Sequence, residues 1–160
     1  TLLEPSPDNA SVRYLRGMLN QKLGNTSKAI QDYNFLISHN DADATIFNNL
    51  GTLDVQLKRY SEAKELFYKA ICYDPRRAEF HNNLSELFVS LKDYDQAIEE
   101  YNKLLALEPD NLVALFNLGV VYKEKGDYVQ AAKQWQRILA IKPGDADARK
   151  ALVSLKKKKQ

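Results

Sequence analysis

His39, His81, the single cysteine Cys72 and the aspartates Asp41 and Asp43 have the side-chain types that metal, thiol or calcium chemistry requires. Neither histidine has a Cys, His or carboxylate at the helical spacing of a zinc site, so no metal is expected. His81 falls on a core-facing place and is expected to be packed and hydrogen-bonded. Cys72 has no basic neighbour in sequence to activate it, so an inert, buried thiol is expected. Asp41 and Asp43 lack the glycine and distal glutamate of a calcium loop. The chain also has no phosphate-cradling glycine loop and no Ser/His/Asp set in plausible order. These absences predict a protein that is not an enzyme and needs no cofactor. Binding chemistry is what remains. Asn49, Asn83 and Asn117 stand one fixed period apart, and an asparagine amide sets a donor beside an acceptor, so it can pair with any peptide backbone.

That period organises the whole chain. A small residue is followed twelve places later by alanine four times over, as Gly17/Ala29, Gly51/Ala63, Ser85/Ala97 and Gly119/Ala131. An aromatic follows each alanine by four places (Tyr33, Phe67, Tyr101, Trp135), and Pro75, Pro109 and Pro143 close three of the four copies. A period of this size, without insertion, predicts a solenoid of stacked units. Apolar residues recur three and four apart, as at Leu84, Leu87, Phe88 and Leu91, which is helical spacing. First helices are expected at roughly 10–23, 44–57, 78–91 and 112–125, and second helices at roughly 26–39, 60–73, 94–107 and 128–141. Gly24-Asn25 and Gly126-Asp127 supply helix stops and N-caps, and Asp93 with Gln96 and Asp127 with Gln130 fit capping boxes. The small pair lets two antiparallel helices approach closely, with the aromatic expected to fill space against the next repeat.

Repeat boundaries follow at 10–43, 44–77, 78–111 and 112–145, with 146–160 as a capping helix and a lysine-rich tail. Residues 1–9 are either the tail of an earlier repeat or an irregular arm, since Pro7-Asp8-Asn9 is in phase with Pro109-Asp110-Asn111. The length is one domain's worth, and 44% hydrophobic residues are enough for a packed interior. With 23 basic against 21 acidic residues the charge is too even to announce a nucleic-acid binder. No apolar run is long enough to span a membrane. The compartment is left open, with a soluble, cytoplasmic setting favoured.

This pattern resembles the tetratricopeptide repeat (TPR). The second copy shows Phe47, Leu50-Gly51, Tyr60, Ala63, Phe67, Ala70 and Pro75; the fourth shows Leu115, Leu118-Gly119, Tyr122, Tyr128, Ala131, Trp135 and Pro143. The third departs at His81 and Ser85, and the first at Arg13, Arg16 and Asn20. The resemblance implies an all-α, right-handed superhelical solenoid of four helix-turn-helix units plus a C-terminal capping helix. Its concave wall, built by the first helices, would hold a peptide or partner protein. The implied groove residues are Tyr14 and Met18 in the first repeat, Asn48 and Asn49 in the second, and Asn82, Asn83 and Glu86 in the third. The fourth adds Phe116, Asn117, Val120 and Lys123.

Adjacent helices lie ~8–10 Å apart and an extended strand advances about 3.3 Å per residue, so one asparagine could meet a ligand backbone about every third residue. The alternative is that this asparagine bonds locally across the wall. The apolar ends, Tyr14 with Met18 and Phe116 with Val120, either anchor ligand side chains or contact a neighbouring repeat or a second copy. The two-carboxylate clamp of family members that grip acidic chaperone tails is not expected, because its places hold Tyr14, Met18, Asn49, Asn82 and Glu86. Glutamates outnumber lysines along the wall, so a neutral or basic segment is expected in preference to an acidic one, and nucleic acid is not expected. The predicted function is a non-catalytic protein–protein interaction adaptor that binds a protein segment in its groove. The alternative is a self-assembling structural scaffold, or a regulatory domain of a larger protein, with no discrete peptide ligand.

Overall fold

In the computed structural model, residues 9–156 are described, and every regular element among them is an α-helix. The expectations for residues 1–8 and for the lysine tail from 157 lie outside the described residues. The helices are α1 (Ala10–Lys22), α2 (Thr26–Ser38), α3 (Ala44–Gln56), α4 (Tyr60–Tyr73), α5 (Ala78–Ser90), α6 (Tyr94–Leu107), α7 (Leu112–Lys125), α8 (Tyr128–Ile141) and α9 (Ala146–Lys156). Six of them start where a side chain satisfies an orphan amide, whereas α2, α4 and α5 have no side-chain cap. Asn9, Asp43, Asp93, Asn111, Asp127 and Asp145 each accept from a backbone N–H in the first turn. Asn25 does not cap α2; its amide donates to Asn20 at 3.2 Å instead.

Each hairpin turn closes the same way. At Gly24, Lys58, Lys92 and Gly126 the backbone turns left-handed, with φ of 75°, 60°, 59° and 91°. Two backbone bonds then tie off the preceding helix, as in Asp127 N–H to Tyr122 C=O and Gly126 N–H to Lys123 C=O. Glycine adopts this conformation freely, whereas the two lysines adopt it at a cost.

Packing within each hairpin differs from the expectation in one respect. The aromatic lies over the small residue of its own hairpin. A Cβ added at Gly17 would stand 2.8 Å from Tyr33 Cε1, one at Gly51 2.8 Å from Phe67 Cε1, and one at Gly119 2.7 Å from Trp135 Cε2. All four aromatics are at most 1% exposed. Ser85 stands at the glycine's place in the third hairpin, is fully buried and donates its hydroxyl to the His81 carbonyl at 2.6 Å.

The polar departures in the first and third repeats are paired across their hairpins. Arg16 Nε donates to Asp32 at 2.9 Å and Arg13 joins at 3.1 Å. The Arg16 hydrogen bond, aided by Arg13, holds the Asp32 carboxyl below its ordinary range despite burial. One period pair later, His81 Nδ1 lies 2.7 Å from Glu100, whose other oxygen accepts from Lys103 at 2.8 Å. Phe47 and Leu66 fill these two places in the second repeat.

Contacts divide the chain into two compact bodies, Thr1–Pro75 and Arg76–Gln160. Within each body the helices pack on their sequence neighbours. In the N-terminal body α2 packs on α3, enclosing Ala29, Tyr33, Leu36, Ile46, Leu50 and Leu53. In the C-terminal body α6 packs on α7 and α8 on α9, with Leu104, Leu115, Leu118, Trp135 and Ile138 at most 2% exposed. Cys72, expected to be buried, is exposed. It sits on the outer side of the last turn of α4, opposite the buried Ala70.

Candidate functional site

Helical spacing puts Glu79, Asn82, Asn83 and Glu86 along α5, and Val113, Phe116, Asn117, Val120 and Lys123 along α7. These residues are half-buried or exposed, between neighbours that form the core. Three hollows of the C-terminal body draw on them. The first, about 350 Å³, is lined by Leu112, Val113, Phe116, Asn117 and Ile138, with Lys142, Asp145 and Asp147 at its edge. A second, about 320 Å³, includes Glu86, Tyr101, Asn117 and Val120. The third, about 310 Å³, includes Glu79, Asn82, Glu108 and Val113. Asn117 belongs to two of them, and Val113 to two.

The chemistry of these hollows is apolar at the base and acidic at the rim. Phe116 tilts against Trp135, ring centroids 6.1 Å apart, and its carbonyl accepts from Trp135 Nε1–H at 3.2 Å. Five carboxylates (Glu79, Glu86, Glu108, Asp145, Asp147) face one ammonium, Lys142, among the lining residues. Lys142 is already bound to Asp145 at 3.1 Å. The Ala148 N–H, and then Lys142, hold the Asp145 carboxyl below its ordinary range, so it stays charged. Burial, reinforced by the charge on Glu86, pushes the Tyr101 hydroxyl up to about 12, with Asn117 as its opposing hydrogen-bond partner.

The expected asparagines prove unequal. Asn49, in the N-terminal body, donates to the Tyr33 hydroxyl at 3.4 Å, and that hydroxyl donates to Gln21 at 2.8 Å. Asn117 contacts Tyr101 in the corresponding way. The second repeat has Phe67 where those tyrosines stand, so Asn83 has no phenol at that place. Asn82 donates to Glu86 at 2.9 Å. Asn48 was expected to face the groove, but it is 1% exposed and cannot serve as a surface rung. Tyr14 is half-buried against the N-terminal core and Met18 is half-buried on α1.

Several lining residues escaped the sequence reading, among them Leu112, Ile138, Glu108, Asp145 and Asp147. Asp147 had a signal, since it lies one period beyond Val113 in the same row.

Family models decide the family. One described as TPR repeat matches residues 86–126, and three described as tetratricopeptide repeat match 10–38, 54–105 and 113–145. The chain belongs to the tetratricopeptide repeat family. No curated protein matches this TPR chain. Solved structures do. The crystal structure of MamA superposes with a TM-score of 0.80 at 22% identity, over 84% of this chain and 79% of MamA. YrrB, described as a TPR protein with an unusual peptide-binding site, gives 0.78 at 18% identity over 91% of this chain and 75% of YrrB. The first TPR of Spaghetti (RPAP3), bound to the HSP90 peptide SRMEEVD, gives 0.65 at 21% identity over 72% of this chain and 91% of its own. At these identities the likeness shows the fold. No helix among the described residues is long and apolar enough to cross a membrane.

Proposed function

We propose that this TPR chain is a non-catalytic interaction module that takes an extended, neutral or basic protein segment along α5 and α7. The observation carrying this reading is the row of hollows with an apolar base (Leu112, Phe116, Ile138) and an acidic rim (Glu79, Glu86, Glu108, Asp145, Asp147). An apolar side chain of the ligand fills the Phe116 hollow, since aromatic contacts in desolvated pockets dominate interface energetics. Lysine or arginine on either side meets the carboxylates, and the amides of Asn82, Asn83 and Asn117 face the ligand backbone. The RPAP3 repeat holds an acidic peptide; Glu86 here would repel one.

The reading is tested with an array of nine-residue peptides that vary in charge around one central apolar residue. Peptides with Lys or Arg beside Leu or Phe are expected to bind and to lose roughly tenfold or more in affinity on Phe116→Ala. Reversing charge with Glu86→Lys and Asp147→Lys is expected to move the preference toward acidic peptides. Preferential capture of acidic peptides by the unaltered chain would overturn the proposal.

A further inference from the structure

Two of the hollows in the C-terminal body are copies of one another. Each residue lining the hollow of about 310 Å³ at the start of α5 has its counterpart, one period on, in the hollow of about 350 Å³ at the start of α7. Their floors match, since Leu104 and Ile138 are both 2% exposed. Their walls differ. Glu79, Asn82 and Glu108 of the first become Val113, Phe116 and Lys142 of the second. No cation lines the first, and Glu108 accepts from the neutral Asn111 amide at 2.7 Å, which leaves its charge in place. In the second, Lys142 is taken up by Asp145, and Val113 and Phe116 stand over Ile138. The first hollow therefore suits a lysine or arginine, with its stem on Leu104 and its head at the carboxylates. The second suits an apolar side chain.

The step between the copies selects the backbone conformation that can fill both. Val113 belongs to both hollows, so they adjoin, and one helix-to-helix step of about 8–10 Å separates them. Both ligand side chains must point at the same wall. In a β-strand, residues two apart share a face at about 6.6 Å and residues four apart at about 13 Å. Neither matches the step. A polyproline II helix has three residues per turn and rises about 3.1 Å per residue, so residues three apart share a face at about 9.3 Å. It also makes no internal hydrogen bonds, so its carbonyls are open to the amide of Asn117. Building on the reading of this wall as a peptide site, we propose that the segment lies on it as a polyproline II helix. Its basic residue enters the Glu79–Glu108 hollow, and an apolar residue three positions away enters the Phe116 hollow.

Fluorescein-labelled peptides of nine residues, each with one lysine and one leucine among alanines, are titrated with the whole chain and followed by anisotropy. Lysine is set two, three, four or five positions from leucine, in both chain orders. In the order that matches the segment's direction, affinity is expected to peak at three, at least tenfold above two and four. Proline at the two intervening positions should keep or raise that affinity, because it is preset for this helix. Valine there favours a strand and should lower it severalfold. Glu79→Gln with Glu108→Gln, both at exposed positions, should erase the peak and leave the affinity of a lysine-free leucine peptide unchanged. A peak at two or four, or loss of binding with the intervening prolines, would overturn the proposal in favour of a β-strand. Equal affinity at every spacing, with Phe116→Ala still weakening each peptide, would overturn this register and leave the interaction-module reading standing. Failure of every peptide to bind would overturn both.

Discussion

Gly119→Ala perturbs the contact that joins the fold to the candidate site. The new Cβ would lie 2.7 Å from Trp135 Cε2 and 2.8 Å from Cδ1, against an optimal carbon–carbon separation of about 3.5–4.0 Å. Trp135 is 1% exposed and cannot swing into solvent, so α7 and α8 must part by several tenths of an ångström. Overpacking of this kind costs about 1–3 kcal/mol. Moving the ring also loosens its bond to the Phe116 carbonyl, worth about 1 kcal/mol. Alanine returns about 1 kcal/mol of helix propensity. The net is about 2 kcal/mol of destabilisation, or a fall in Tm of roughly 8–16 °C for a body of this size. Urea and thermal unfolding give the stability directly. Trp135 is the chain's single tryptophan, so its emission reports the ring's displacement in the folded state. Trp135→Leu in the Gly119→Ala background should recover part of the loss. An unchanged or raised midpoint with unaltered emission would refute the placement of the indole on Gly119.

Two further predictions concern the turns and alkaline pH. Lys92→Gly should stabilise the chain by about 0.5–1 kcal/mol, because lysine holds φ 59° there while glycine does so without strain; chemical denaturation measures it, and destabilisation would argue against a left-handed turn. Tyr101 keeps its proton to about 12 in the folded chain against an ordinary 10.0. Its contribution is therefore whole below pH 10 and is lost as pH rises toward 12, a loss of about 2–3 kcal/mol. Tyr101→Phe should flatten the fall in stability between pH 10 and 12, and an unchanged slope would show that the hydroxyl is not buried.

The helices and turns were legible because their causes are local. Apolar spacing, the Asp and Asn caps and the glycines at 24 and 126 set nine helices among the described residues within a residue or two of where periodicity puts them. The family resemblance was legible for the same reason, since four copies stay in phase. Which side chains face outward was less so, because that depends on neighbouring helices. Asn48 is polar yet buried, and Cys72 is exposed although it sits on an amphipathic helix. The engagement of Asn49 and Asn117 did have a sequence signal: a tyrosine sixteen residues earlier in each case, where Asn83 has Phe67. The acidic rim spans α5, the α6–α7 turn and the start of α9, and no single repeat displays it. Arg13 and His81 read as departures from the family pattern, yet each has a carboxylate across its hairpin, Asp32 and Glu100.

The side-chain amide resonances of Asn82, Asn83 and Asn117 test the central claim most directly, recorded by ¹⁵N NMR while the best-binding basic peptide of the array is added. All three should shift together with the backbone of Phe116 and Val120, and a matched acidic peptide should leave them in place. Shifts confined to α1, or no shift at any of these amides while the peptide binds, would contradict an extended segment lying along α5 and α7.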